Sequence, residues 1–269
     1  MKNIDKAVIL AAGLGNRISK IASDTPKPLL PLDGKAGSPT FLDWHLWSLK
    51  KAGVSEIFIV GNKKTCGTKL LADKDVKVTW ILNPTDDLST SGSAHSAQFA
   101  WHSEHAILDG KSRVVLMDAD ILYEPSLFEL LASAEDPRSK TLVCADYRLT
   151  NEEVMVFADA QGTPRLHGKG LLETPLTEGL ACVGEASGIL LWEAADHDAL
   201  ARTNDWVIGF ATAKTRAEHE DVTQRMMTLG KVASVGFGRE RAFMECDTPD
   251  EYAVLTSEMY PRLRSLLSL

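Results

Sequence analysis

Apolar residues fall in short runs along this chain, separated by stretches whose hydrophobic positions recur every three to four residues. Ala7–Leu10 reads as a buried strand that ends in a glycine-containing turn. Phe41–Ala52 has helical spacing, with Thr40 as N-cap and Gly53 as stop signal. Strands are predicted over Ile57–Val60 and over Val76–Leu82, the latter rich in β-branched and aromatic residues. A helix over Ser93–His105, a strand over Val114–Met117 and a helix from Pro125 to about Ala134 follow. This strand–helix rhythm predicts a mostly parallel sheet covered on both faces. Between Tyr147 and Trp206 the rhythm loosens into strands, Gly and Pro without long helices, and predicts an insertion that builds a second pocket wall. Thr248-Pro249-Asp250-Glu251 sets an N-cap, a first-turn proline and an N3 acid in order. It opens a helix expected to run from Pro249 to about Tyr260, where Pro261 interrupts it.

Composition narrows the class. With 269 residues, 44% of them hydrophobic and 25% charged, the chain suits one α/β domain with its own core. It carries 29 Lys and Arg against 37 Asp and Glu, a net charge of −8, which argues against a nucleic-acid partner. The apolar stretch Ala7–Ala12 is far too short to span a bilayer and lacks the flanks of a signal peptide, so no membrane partner is expected. Cys66, Cys144, Cys182 and Cys246 are scattered without a CxxC pair. That fits a reduced, cytoplasmic setting with the thiols as small core residues. The oligomeric state is left open, a homodimer being compatible with the sequence.

The chemistry begins at the end of the first strand. Leu10–Arg17 reads LAAGLGNR: Gly13 and Gly15 permit tight turning and let phosphate oxygens approach backbone N–H groups, and Arg17 adds a planar cationic fork. A dinucleotide fingerprint is incomplete, because Ile18 stands where the third glycine belongs, and no GK[ST] follows to make a Walker loop. Asp33, where a ribose-binding acid might be sought, sits in a Pro/Gly-rich turn. Asp24–Leu32, DTPKPLLPL, then holds Lys27 between prolines that keep the chain extended, with its ammonium free to project towards the same anion. The pairing of LAAGxGxR with PKxLL at this spacing resembles the nucleotidyltransferases that activate sugar phosphates and phosphocholine. The resemblance implies that Leu10, Ala11, Ala12, Gly13 and Gly15 surround the nucleotide, and that Arg17 and Lys27 disperse phosphate charge.

Further segments extend the resemblance over the chain. Asn83-Pro84 closes the third strand and TSGSAHSAQFA follows, a loop that in these families lies against base and ribose; it implies nucleotide contacts from Asn83, Ser91 and Gly92. Its Gly-Ser-Ala form looks like the sugar-activating branch, and His95 is assigned no chemistry. VVLMDAD runs a hydrophobic strand into Asp118 and Asp120, which share a face if the chain stays extended. Carboxylates at this end of a parallel strand lie where open α/β sheets bind ligands. The resemblance makes Asp120 a metal ligand; Asp118 is either a nucleotide-side group or a hydrogen-bonded structural acid. In MECDTPDEY it makes Asp247 the second ligand, with Glu245 beside it. The cation implied is Mg²⁺.

On the acceptor side, LHGKGL and GEASGILLW resemble segments of phosphocholine cytidylyltransferases and their phosphonate-activating relatives. Lys169 would neutralise an acceptor or transferring phosphate. HEDVTQRMM looks like the acidic segment that precedes a helix in those relatives, so Glu185, Glu220 and Asp221 become candidate partners for an acceptor amine. Tyr147, Trp192 and Trp206 lie in the same half and read as core aromatics rather than a cage.

Together these features imply a single nucleotidyltransferase domain over 1–269 with a Rossmann-like, mostly parallel sheet flanked by helices. It divides into a nucleotide half (1–146), a β-rich acceptor-side insertion (147–240), and a closing acid with its helix (241–269). The expected reaction is CMP transfer from CTP to a small amine-bearing phosphate or phosphonate: phosphocholine, phosphoethanolamine or 2-aminoethylphosphonate. A sugar-1-phosphate nucleotidyltransferase using UTP, GTP or CTP is the alternative, and a silent nucleotide-sensing subunit is the reading from another class.

Overall fold

Alternate side chains of the first strand divide the molecule into two layers. In the computed structural model, which describes residues 3–13, 18, 25–85, 90–172, 174–210 and 216–267, strand β1 (Lys6–Ala11) is buried along its whole length. Ala7, Ile9 and Ala11 face a core shared with helix α1 (Phe41–Lys51) and the C-terminal helix. Val8 and Leu10 face a second core built with helix α2 (Ser93–Trp101) and two later helices. This period of two is what a strand covered on both sides requires.

β1 pairs in parallel with β2 (Glu56–Gly61) and β4 (Val114–Asp118), and β2 with β3 (Val78–Leu82). β5 (Ile121–Tyr123) follows at once, and helix α3 (Leu127–Ser133) leads to β6 (Ser139–Cys144). The insertion supplies β7 (Met155–Ala158), β8 (Pro164–Gly168) and the long β9 (Ala181–Trp192). β9 runs antiparallel between β4 and β6, β10 (Val232–Phe237) closes the far edge parallel to β6, and β7 and β8 branch from the first half of β9. The order β10-β6-β9-β4-β1-β2-β3 is thus the mostly parallel, helix-flanked α/β sheet expected, with the inserted strands extending one side.

Local signals explain the ends of several elements. Thr40 Oγ1 accepts from the Asp43 N–H while Asp43 Oδ2 accepts from the Thr40 N–H, a complete capping box for α1. α2 stops at Trp101, short of the expected His105, because His102-Ser103-Glu104-His105 offers no apolar residue in register with the core. The region said to lack long helices contains most of one: α4 (His197–Phe210) spans 14 residues. It buries His197, Leu200 and Asn204 and packs Ala199, Val207 and Ile208 against the second core. HEDVTQRMM likewise does not precede a helix but forms one, α5 (His219–Thr228).

At the C-terminus, α6 (Pro249–Val254) continues through a π-helical turn over Leu255–Met259 into α7 (Tyr260–Leu263). Pro261 therefore does not end the helix as expected. The wide turn resets the hydrogen-bond register, and the proline falls in the first turn of the following segment, where its missing N–H costs little. A small ribbon positions the site. β11 (Phe243–Glu245) pairs antiparallel with β5, Glu245 opposite Ile121, and the Cys246 N–H donates to the Asp120 carbonyl at 3.0 Å. All four cysteines are free, and no described helix is long and apolar enough to cross a membrane.

Candidate active site

The loop after β1 is braced from the neighbouring strand. Asn62 Nδ2 donates to the Ala12 carbonyl at 2.9 Å and Thr65 Oγ1 to the Ala11 carbonyl at 3.2 Å. Leu10, Ala12 and Gly13 line a cavity of about 430 Å³ at the carboxyl ends of the parallel strands, while Ala11 points into the core. Gly15 and Arg17 lie outside the described residues.

Lys27 is not held extended. Pro26 is, but Lys27–Leu29 form a 3-10 turn, which the fixed φ of Pro28 favours, and this turns the lysine inward. Its side chain is 7% exposed, and Nζ donates to Asp120 Oδ2 at 2.6 Å and to Asp247 Oδ1 at 2.5 Å. Burial alone would lower the Lys27 pKa, but the two carboxylates outweigh it and hold the ammonium above its usual range. Asp247 precedes the helix cap in which Thr248 Oγ1 accepts from the Glu251 N–H. Glu251 Oε2 accepts from the Asp247 and Thr248 N–H groups at 2.7 and 2.8 Å, fixing the backbone that carries the acid.

Glu245 joins this pair through the β5–β11 ribbon. Oxygens of Asp120, Glu245 and Asp247 lie within 4.8 Å of one another. Burial, and then the charges of Asp120 and Asp247, raise the Glu245 carboxyl well above the usual range. Burial likewise raises Asp120, against the pull of Lys27. Among the described residues these three crowded acids form a set of hard oxygen donors around the Lys27 ammonium, which fits a divalent cation such as Mg²⁺.

Asp118 ends β4 and lines the same cavity as Asp120, although the chain bends between them. Both of its oxygens lie 3.1 Å from His219 Nε2. Burial opposes a charge on that ring, but Asp118 and then Glu220 push its pKa up to about 10. Asp118 can approach the inserted strand because Gly188, at φ +69°, has no side chain there; a Cβ would stand 2.4 Å from Asp118 Oδ2.

Asn83, Ser91 and Gly92 border the cavity opposite the acids. Asn83 Nδ2 donates to Ser96 Oγ at 3.1 Å and Ser91 Oγ at 3.3 Å. The backbone that approaches Gly92 is the protein's own, for a Cβ there would meet the Ala217 carbonyl at 2.1 Å. The N-terminus of α2 is capped from a distance, Glu218 Oε2 accepting from the Ser93 N–H at 2.6 Å and its hydroxyl at 2.8 Å. His95 Nδ1 accepts from the Gly92 N–H, a capping role.

The acceptor-side residues divide. Lys169 and Glu220 border a second, small chamber behind Asp118. Glu185 is half-buried with Glu153 and Glu245, their oxygens within 4.8 Å of one another. Burial, and then Glu153, push the Glu185 carboxyl up to about 7. Asp221 borders neither cavity: its Oδ2 accepts from the Glu218 N–H in the capping box of α5. Trp192 is core as expected, but Tyr147 is half-buried and Trp206 is exposed on α4 with Arg225 over its ring. Glu153, Glu218, His219 and the Asn62–Thr65 brace carry no local sequence signature that ties them to the site.

Comparison with known proteins gives the family and the fold. Residues 7–183 match the model of the MobA-like NTP transferase domain. The chain is 32% identical over 160 residues to CMP-5'-(3-aminopropyl)phosphonate synthase of Streptomyces rubellomurinus, covering 58% of this chain and 23% of that protein. It is 35% identical over 101 residues to N-acetylmuramate alpha-1-phosphate uridylyltransferase of Neisseria meningitidis serogroup B, covering 38% of this chain and 35% of that protein. The chain therefore spans well under half the length of either relative. In fold it is similar to the inositol-1-phosphate CTP transferase from T. maritima, with a TM-score of 0.73 and 20% identity over 98% of this chain and 95% of that one.

Proposed function

The chain belongs to the MobA-like NTP transferase domain family, and from that premise we propose that it transfers CMP from CTP to a small amine-bearing phosphate or phosphonate, releasing pyrophosphate. The observation that carries nucleotidyl transfer is Lys27 bridging Asp120 and Asp247 at the floor of the 430 Å³ cavity. A triphosphate laid there meets the glycine loop on one side and the acids on the other. An acceptor oxygen attacks the α-phosphorus in line, forming the new P–O bond as the bond to the pyrophosphate oxygen breaks. No side-chain nucleophile is needed. Positioning and charge neutralisation supply the rate, from Lys27, Lys169 and, in our reading, Arg17. Asp120, Asp247 and Glu245 would hold Mg²⁺, whose charge offsets that of the triphosphate when bound.

The acidic acceptor side supports an amine-bearing acceptor. Glu185 and Glu220 stand with Lys169 as its positive counterpart, an arrangement suited to a zwitterion. The Streptomyces relative, named for an aminoalkylphosphonate product, supports the same reading. A sugar-1-phosphate acceptor is the second reading, favoured by the Neisseria relative. Pyrophosphate release with each of four NTPs against amino-phosphates, aminophosphonates and hexose 1-phosphates tests both. Release with CTP and an amino acceptor is expected; release only with a hexose 1-phosphate overturns the amine reading.

A further inference from the structure

Behind Asp118, between β8, β9 and the first turn of α5, lies a chamber of about 30 Å³. Its wall holds four buried polar atoms without a hydrogen-bond partner: Ser187 Oγ, His167 Nδ1, His219 Nδ1 and Glu220 Oε2. Ser187 is 1% exposed and each histidine 4%. Buried polar groups in folded proteins are hydrogen-bonded, so the three of these atoms able to accept mark a place that a guest with donors completes. Building on the amine reading above, we propose that this chamber receives a primary ammonium of the acceptor and excludes a trimethylated one.

Hydrogen bonding and room agree. An ammonium has three N–H donors to place. Ser187 Oγ and Glu220 Oε2 accept two. His167 Nδ1, which has no other partner, can accept the third, because burial, and then the His219 charge, pull this ring's pKa down to about 3 and keep it neutral. The remaining atom, His219 Nδ1, is a donor in the protonated ring and takes no part in holding the ammonium. The space holds a group the size of one water, not three methyls. No Phe, Tyr or Trp lines it among the described residues, and such a face is what a quaternary ammonium needs in place of hydrogen bonds. Asp118 borders both this chamber and the main cavity, so an ammonium here sits next to the site of phosphoryl chemistry.

Pyrophosphate release with phosphoethanolamine, phosphocholine and ethyl phosphate, using the nucleotide chosen by the screen above, tests the proposal. Phosphoethanolamine is expected to exceed phosphocholine in kcat/KM by about a hundredfold or more. Ser187→Ala should cut the preference for phosphoethanolamine over ethyl phosphate by about tenfold to a hundredfold, through KM rather than kcat, the loss of one hydrogen bond to a charged group. If that variant does not fold, Glu220→Gln reads the same ratio. Equal use of phosphocholine, or a ratio unmoved by either variant, overturns this proposal alone and leaves the chamber to an ordered water. Turnover of a hexose 1-phosphate and of no amino acceptor overturns the amine reading and this proposal together.

Discussion

Replacing Lys27 with methionine keeps the length of the side chain and removes its charge. In the wild type the ammonium stands 2.6 and 2.5 Å from the carboxylates of Asp120 and Asp247, with 7% of its side chain exposed. Without it, among the described residues, acids whose oxygens lie within 4.8 Å face one another and Glu245. At an effective dielectric of 20, two unit charges at that distance repel by about 3.5 kcal/mol. The Asp120 and Asp247 side chains are 27% and 16% exposed, so solvent screens part of this. A loss of about 2–3 kcal/mol remains, below the ~3–5 kcal/mol typical of breaking a fully buried pair. For a chain of this size that lowers Tm by about 4–12 °C. A surface lysine would cost about 0–1 kcal/mol. Thermal melts of Lys27→Met with and without saturating MgCl₂ measure the effect. The deficit should shrink more with Mg²⁺ than any gain the wild type shows, because a cation can take the place of the ammonium and binding at a hundred times Kd adds about 2.7 kcal/mol. Turnover should fall by about a hundredfold or more, since in the proposed reaction Lys27 also neutralises triphosphate charge. A variant with unchanged Tm, no added response to Mg²⁺ and full turnover would refute the reasoning.

Asp120→Asn should retain the fold, because the acid sits at a strand end, and should lower turnover by about two to three orders of magnitude with an altered Mg²⁺ dependence; an unchanged rate and metal profile would remove Asp120 from the site. His219, raised from 6.5 to about 10 once the Asp118 and Glu220 charges overcome its burial, contributes stability that is complete below pH 6.5 and lost as pH rises through 10. The Tm difference between wild type and His219→Gln should therefore narrow across that window, and a constant difference would count against the ion pair. Gly188→Ala places a Cβ 2.4 Å from Asp118 Oδ2 at a backbone of φ +69°; it should cost about 1–2 kcal/mol from the backbone alone and displace Asp118, read as a lower Tm together with lost turnover.

What the sequence makes legible here is what is local. The Thr40–Asp43 and Thr248–Glu251 boxes lie three residues apart, and both form. The alternation of β1 fixes its two buried faces, and the pairing of the glycine loop with the PKPLL segment gives the family. What escapes is carried by distant pairing. Glu245 reaches Asp120 through a ribbon that joins residues over a hundred positions apart, and Glu218 caps α2 from 125 residues away. Lys27 reads as an extended, projecting side chain because nothing next to it reveals the carboxylates that draw it inward. Gly92 shows the converse. A glycine at a helix start invites a ligand reading, but the group that requires the missing Cβ is the Ala217 carbonyl.

The central claim is that the cavity around Lys27, Asp120 and Asp247 joins a nucleotide to an amino-phosphate or aminophosphonate. ³¹P NMR of the protein with CTP, Mg²⁺ and 2-aminoethylphosphonate tests it most directly, because the new phosphorus–oxygen–phosphorus linkage and pyrophosphate are both visible. The account predicts that the two form in equal amounts with the wild type and are nearly absent with Asp120→Asn. CTP left intact with 2-aminoethylphosphonate, phosphoethanolamine and phosphocholine alike, while UTP is consumed with a hexose 1-phosphate, would contradict it.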